Sequence, residues 1–115
     1  MSTKKIYEVT SAVDLLIKPF DTVLLPTNLS IKVEDNELVF FRIEDSLYRK
    51  HGLISLEPFI EEKDHSVLTL KISKICMIQL ANMGDAGLRE KIFGVGNEFK
   101  IKENMVVGNL TVLVL

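Results

Sequence analysis

The sequence predicts an all-β fold of short strands with one or two short helices. Apolar residues mostly alternate with polar ones in short runs, which is the period of a half-buried strand. Turn-forming residues such as Pro26, Asn36 and Pro58 stand between or within these runs. At 115 residues the chain can bury one core, so we expect a single domain over 1–115, built as a β-barrel or sandwich.

Strands are expected in the first half of the chain at 5–10, 22–26, 29–35, 37–43 and 53–60. Within 29–35, Leu29, Ile31 and Val33 share one face, whereas the residues between them are polar. The sequence Asp35-Asn36 is a tight-turn signal, so 29–35 and 37–43 are expected to form a hairpin.

Strands in the second half are expected at 66–72, 75–81, 98–103 and 106–115. Helix signals are fewer. One turn is expected within 11–20 before Pro19, and one at 44–50 ended by Gly52. A longer helix is expected at 84–94, with Asp85 as its cap.

Composition excludes several classes of function. The formal net charge is −2, so no basic field indicates binding to DNA or RNA. The apolar runs are too short to span a membrane. Cys76 is the single cysteine, so an intrachain disulfide is impossible and we expect a cytoplasmic, reducing compartment.

Motifs for metals and nucleophiles are almost absent. His51 and His65 lie fourteen residues apart with no cysteine partner, so no metal site is expected. The pair Glu61-Glu62 has the character of a solvated turn rather than a catalytic dyad. The run Arg49-Lys50-His51 has two interpretations, a solvated helix end or a ligand-binding cluster.

Five segments, taken in order, resemble the dUTPase and dCTP deaminase superfamily. "AVDL" (12–15) is similar to the first family motif, Ala-Gly-x-Asp-Leu, and "LLPTNLSIKV" (24–33) resembles the strand pair that follows it. "EDSLYRKHGL" (44–53) stands where the family has Arg-Ser-Ser/Gly-Leu-Ala followed by Lys-x-Gly-Leu. "HSVLTLKIS" (65–73) is similar to Gly-x-Leu-Thr-Leu-x-x-x-Asn of the deaminases, and 99–115 corresponds to the final family strand.

The resemblance implies a fold, an assembly and a chemistry. The fold is a dUTPase-like β-barrel of jelly-roll character, in which 74–97 would be an insertion of one strand and a helix. The assembly is a homotrimer with sites between subunits. In the family an arginine and a serine of the second motif hold phosphates, and a carboxylate of the third motif orients water or acts on the base.

The chain departs from these motifs at the positions that carry the chemistry. Glu44 stands in the place of the arginine and Asp45 in the place of the first serine, whereas Ser46 and Leu47 keep their character. An acid there reverses the sign of a phosphate contact and removes the bidentate fork of arginine. Glu61 could replace the water-orienting aspartate, but its family neighbours are missing. The last motif lacks the family's glycine, arginine and glutamine.

We therefore expect a catalytically degenerate dUTPase-like protein that serves as a protein-interaction or assembly module, such as phages and viruses encode. Two alternatives stay open, an active dUTP diphosphatase or dCTP deaminase-type enzyme, and a non-catalytic nucleotide-binding regulator. For these the candidate catalytic residues are Asp14 and Glu61, and the candidate nucleotide-binding residues are Ser46, Arg49 and Lys50. No cofactor is expected, except magnesium if the protein hydrolyses nucleotides. The expected partners are copies of the chain in a homotrimer, another protein or a deoxynucleotide, in the host cytoplasm or a virion.

Overall fold

A computed structural model describes residues 2–60, 64–65, 67–75 and 98–115. The strand expected at 75–81, apart from Ile75, and the helix expected at 84–94 lie outside these ranges. Cys76 and Glu61 lie outside them as well.

The described residues form ten strands and one helix, α1, which spans Asp45–His51. The strands in chain order are β1 (Ser2–Thr10), β2 (Leu15–Ile17), β3 (Thr22–Pro26), β4 (Ile31–Lys32), β5 (Glu37–Ile43), β6 (Leu53–Ser55), β7 (Asp64–His65), β8 (Thr69–Lys74), β9 (Phe99–Ile101) and β10 (Val106–Val114). These elements confirm the predicted all-β fold class with a short helix at 44–50. Over the same ranges, no helix has the length and apolar composition that a membrane span requires.

The strands pair antiparallel in four small sheets. One sheet has the order β1-β10-β5 and another the order β3-β8-β6, while β2 pairs with β9 and β4 pairs with β7. The outer edge of β5 is covered by the segment after β6, because the Phe41 N–H donates to the Pro58 carbonyl at 2.7 Å and the Ile60 N–H donates to the Val39 carbonyl at 2.9 Å. The chain from Leu53 onward therefore passes from one three-stranded sheet to the other.

The buried side chains form one hydrophobic core, to which strands of all four sheets and helix α1 contribute. Alternation along β8 is as predicted, since Leu68, Leu70 and Ile72 are buried and Thr69 is exposed. The core consists of Val9, Ile17, Leu25, Ile31, Val33, Val39, Phe41, Leu47, Leu53, Leu68, Leu70, Ile72, Ile101, Val107, Leu110 and Val112. Each such side chain contributes about 1.5–3 kcal/mol when it is fully buried, so this core is the main source of stability.

The prediction that 29–35 and 37–43 form a hairpin is wrong. Residues 35–36 form the predicted turn, with the Glu37 N–H donating to the Glu34 carbonyl at 3.1 Å. The two arms then separate, since β4 pairs with β7 and β5 pairs with β10. Both arms carry apolar faces, and each buries its face in the shared core through a different sheet.

The helical turn expected within 11–20 is also wrong. Residues Leu15–Ile17 form β2, which pairs with β9 and so satisfies its backbone groups without a helix. A four-residue turn follows, in which the Asp21 N–H donates to the Lys18 carbonyl at 3.0 Å. Pro19 supplies its fixed φ at the second position, and Phe20 at the third adopts a φ of 68°. A stretch this short cannot nucleate a helix against such a turn.

Gly108 fixes how closely β10 approaches β5. It lies opposite Ile43, and a Cβ placed on it would lie 2.1 Å from the Arg42 carbonyl oxygen and 2.5 Å from Cζ of Phe41. The carbonyl belongs to a paired backbone and cannot move aside. Only glycine allows this approach.

We predict that Gly108→Ala destabilises the protein by about 1–3 kcal/mol, because the added methyl group forces the two strands apart. Urea unfolding monitored by circular dichroism measures the change. Asn109→Ala is the matched control, since Asn109 is exposed on the same strand. Equal unfolding midpoints for the two variants would contradict the role assigned to Gly108.

Candidate functional site

The helix that the resemblance associates with phosphate binding begins directly after β5. The N–H of Glu44 donates to the Val107 carbonyl at 2.8 Å, which attaches the start of the helix to β10. Glu44 is the N-cap with extended backbone angles, and Leu47 buries the helix against the core. Gly52 ends the helix in the left-handed conformation, with a φ of 67°. The predicted stop at Gly52 is therefore confirmed.

The carboxylate of Glu44 occupies the N-terminus of α1. Its Oε2 accepts hydrogen bonds from the N–H of Ser46 at 3.0 Å, from the N–H of Leu47 at 3.3 Å and from the Ser46 hydroxyl. The hydrogen bond from the Ser46 side chain, followed by that from its N–H, lowers the pKa of Glu44 below its ordinary value. The first N–H groups of a helix have no intrahelical partner and attract negative charge. In this protein the carboxylate of Glu44 is the acceptor and the negative charge at the start of α1.

The cations of α1 lie at its other end. Arg49 Nε is 3.0 Å from Asp45 Oδ2, and both side chains are largely exposed. Lys50 is exposed in the last turn, where positive charge is favourable beside the last helical carbonyls. Ser46 therefore lies at the start of the helix, whereas Lys50 lies at its end.

His51 packs against an aromatic ring that is distant in sequence. Its ring centroid is 4.1 Å from that of Phe99 on β9. Partial burial, followed by the positive charges of Lys74 and Lys50, lowers the pKa of His51. Lys74 itself is buried, and the backbone beside it is joined to the helix end because the Ile75 N–H donates to the Gly52 carbonyl at 2.8 Å. These contacts hold the end of α1 against β8 and β9.

Asp14 is held by backbone rather than by α1. Its Oδ1 accepts a hydrogen bond from the N–H of Glu103 at 2.8 Å, which connects the segment before β2 to the turn before β10. Asn104 in that turn has a φ of 68°, a conformation that asparagine tolerates better than most residues. No hydrogen bond or ion pair within the described ranges joins Asp14 to Ser46, Arg49 or Lys50. Their roles stay predictions, and so does that of Glu61.

The donor set for magnesium does not come together in the described ranges. No group of three or more histidine, cysteine, aspartate or glutamate side chains there is placed to hold a metal ion. Asp14 receives a backbone N–H, and Glu44 is bound to the helix that it caps.

The capping role of Glu44 is a feature that sequence reasoning missed. Serine, threonine, aspartate and asparagine are the usual N-caps, so a glutamate gives no such signal. The substitution pattern indicated only that negative charge had replaced positive charge. The acid Asp45, which suits a first helical turn, and the stop at Gly52 are the sequence signals that could have identified position 44 as the cap.

We predict that Glu44→Ala lowers the melting temperature at neutral pH, because the first N–H groups of α1 lose their acceptor. The pKa of Glu44 is lower in the folded state than its ordinary value of 4.5. The unfolded state therefore binds the proton more readily, and the contribution is present above pH 4.5 and is lost as the pH falls through the lowered pKa. Differential scanning fluorimetry from pH 7 to pH 3 measures the difference, with exposed Glu103→Ala as control. A difference between Glu44→Ala and wild type that stays constant down to pH 3 would count against the cap.

The same sign applies to His51, at a higher pH. Its pKa is lower in the folded state than the ordinary value of 6.5, so the unfolded state binds the proton more readily. Stability therefore falls as the pH drops from 6.5 toward the lowered pKa. We predict that His51→Phe, which keeps an aromatic ring on Phe99, removes this part of the pH dependence. NMR titration of His51 measures the pKa directly, and Lys50→Gln should raise it. A pKa of 6.5 or above in the wild type would contradict the prediction.

Comparison with solved structures shows the fold of the chain. A variant of the dUTPase of phage phi11 of S. aureus, whose structure shows how a structural Mg(II) ion is coordinated, matches 96% of this chain and 76% of its own, at a TM-score of 0.73 and 15% identity. A variant of the dUTPase of Staphylococcus bacteriophage 80alpha with dUpNHpp matches 100% of this chain and 79% of its own, at a TM-score of 0.69 and 14% identity. The native EIAV dUTPase matches 99% of this chain and 83% of its own, at a TM-score of 0.65 and 18% identity.

Sequence comparison adds no closer relation. No family model matches the chain, and no curated protein matches it. The resemblance predicted from the ordered segments is therefore confirmed at the level of the fold: the chain is an all-β protein with the dUTPase-like fold.

Proposed function

We propose that this protein is a catalytically degenerate member of the dUTPase-like fold that serves as a protein-interaction or assembly module. One observation carries the proposal. The carboxylate of Glu44 accepts hydrogen bonds from the groups at the N-terminus of α1 that would otherwise be available to a phosphate. A phosphate at that position would meet an acid instead of the arginine of the family motif.

The other candidate residues support the same proposal. The hydroxyl of Ser46 donates to Glu44, so it is engaged within the helix. Arg49 is paired with Asp45. Asp14 accepts a hydrogen bond from the backbone N–H of Glu103. Three of the five candidate residues, Ser46, Arg49 and Asp14, thus have an intramolecular role.

A nucleotide-binding regulator is the second candidate. The similar dUTPase of phage 80alpha is described as controlling transfer of virulence genes by a G protein-like mechanism, and its structure holds dUpNHpp. In a regulator of this kind Ser46, Arg49 and Lys50 would rearrange around the phosphates. An active hydrolase would in addition use Asp14 and Glu61, with magnesium on the phosphates.

The assembly and setting follow from the resemblance. We propose a homotrimer of single-domain subunits, with 74–97 as an insertion, encoded by a phage or virus and present in the host cytoplasm or virion. Binding to nucleic acid or to a membrane surface is not part of the proposal, because the net charge of −2 provides no general attraction to either.

Incubation of the purified protein with dUTP, dCTP or dTTP plus magnesium tests these alternatives. We expect no release of pyrophosphate or ammonia and no nucleotide-dependent change in melting temperature. A thermal shift without turnover would favour the regulator. Turnover that disappears in Glu61→Gln would overturn the proposal of a degenerate scaffold.

The obstruction by Glu44 can be tested by removing it. We predict that Glu44→Ser, which keeps a capping hydroxyl, increases the affinity for inorganic triphosphate by about tenfold, because it removes a negative charge that would repel the phosphate. Isothermal titration calorimetry measures the change. Glu103→Ser is the matched control, because it removes the same charge from an exposed position elsewhere. Equal affinities for both variants would show that Glu44 does not block an anion site.

A further inference from the structure

The sheet β1-β10-β5 has an outward face that carries both apolar and charged side chains. Its registers place one residue of each strand in a row across the sheet. One row contains Ile6, Thr111 and Phe40, and Phe59 extends it beyond β5. The neighbouring row contains Thr3, Leu113 and Leu38. The next row on the other side contains Glu8, Asn109 and Arg42.

The apolar side chains of this outer face are unusually exposed for their size. Ile6 is 60% exposed and Phe59 is 57% exposed. Phe40 lies between them in the row, with its ring centroid 6.4 Å from that of Phe59. Exposed apolar groups in a continuous strip across a sheet indicate a contact surface.

The row of Glu8, Asn109 and Arg42 indicates what kind of partner surface is complementary to this face. Glu8 and Arg42 are exposed, lie on the two outer strands and are separated by Asn109 on β10. Within the described ranges neither forms an ion pair. Two interstrand spacings of about 4.8 Å separate them along the row, so the acid and the base lie at opposite sides of the face.

This arrangement is complementary to itself. A two-fold axis that runs parallel to β10, between two facing sheets, places β1 of one copy over β5 of the other. Glu8 of each copy then faces Arg42 of the other, Ile6 faces Phe40, and Thr111 lies opposite its own counterpart. Facing sheets pack about 10 Å apart, which is within reach of long side chains.

We propose that two copies of this chain pair through the outer face of the sheet β1-β10-β5, with the Glu8 and Arg42 side chains forming two equivalent ion pairs across the interface. A two-fold interface closes on itself, so each chain pairs with one other chain through this face. The pairing goes beyond the proposed function.

A different exposed strip on the sheet β3-β8-β6 lacks this signature. Leu24 and Leu56 are exposed on either side of Lys71. Leu24 lies opposite Lys71 in the strand register, and the Leu56 N–H donates to the Lys71 carbonyl. The ammonium of Lys71 is already 3.8 Å from a carboxylate oxygen of Glu57 in the same chain. Among the residues that the structure describes, that strip therefore offers no pair of unpaired opposite charges that would select a second copy.

The size of the face determines how strong the pairing is. Three strands about 4.8 Å apart and about six residues long at about 3.3 Å each cover roughly 300 Å² per copy. Stable complexes bury about 800 Å² per partner. The pairing is therefore weak, and it depends on protein concentration and on ionic strength.

Charge exchange tests the proposal. Sedimentation velocity at high protein concentration and low salt should give the wild type a weight-average mass that rises toward twice that of its basal unit. Glu8→Arg and Arg42→Glu should each abolish the rise, because like charges then meet in the interface. The double variant Glu8→Arg/Arg42→Glu should restore it. Glu103→Arg and Lys100→Glu, which are exposed outside the face, are the matched controls and should leave it unchanged.

Chemical crosslinking tests the axis without altering the charges. The Cα atoms of two facing Thr111 residues would lie about 10 Å apart, which is too far for a disulfide but suits a short bismaleimide. Thr111→Cys with Cys76→Ser should therefore give a crosslinked pair, whereas Lys100→Cys in the same background should not.

Three outcomes would overturn the proposal. The first is a mass that does not change among wild type, single and double variants, including a constant three-chain mass, which would leave the proposed trimer intact. The second is loss of the rise in both single variants without recovery in the double variant, which would indicate a different partner for the face. The third is equal crosslinking at Thr111→Cys and Lys100→Cys.

Discussion

Strand β10 holds the structure together because both of its edges are hydrogen-bonded, to β1 on one side and to β5 on the other. Its inward residues Leu110 and Val112 are buried in the core. Gly108 lets β5 approach closely at the end where that strand leads into α1. The carbonyl of the preceding Val107 then receives the N–H of Glu44. The position of the candidate site and the register of the outer face both follow from this strand.

We propose that the N-terminus of α1 has lost a phosphate ligand while the fold was kept. A helix start requires acceptors for its first N–H groups, and a bound phosphate or a capping side chain can provide them. Glu44 provides them from within the chain. An intramolecular acceptor competes at a high effective concentration, so a diffusing phosphate must displace it as well as bind. In this proposal, the acid that removes the phosphate contact also stabilises the helix.

The two proposed properties of the protein are compatible because they use different parts of β5. The strand ends at the cap of α1, where Glu44 is engaged with Ser46 and Leu47. Its outward side chains Phe40 and Arg42 lie on the face that we assign to pairing. The start of α1 is satisfied by Glu44, and the chain still presents exposed apolar side chains beside charges that are unpaired within the described ranges. Such a surface suits association with protein rather than chemistry on a small molecule.

The sequence by itself determined the strands whose alternation is strong, the turn at 35–36, and the helix that stops at Gly52. These depend on neighbouring residues, since side-chain period, fixed φ and capping are local properties. The ordered motifs also determined the fold, through their resemblance to the dUTPases. Tertiary structure alone decided which strands pair, since β4 and β5 leave one turn for different sheets. It alone placed Phe99 on His51 and Glu103 on Asp14. It also decided that Glu44 is a cap, because a glutamate shows in the sequence only as a charge and its partners exist once the chain has folded.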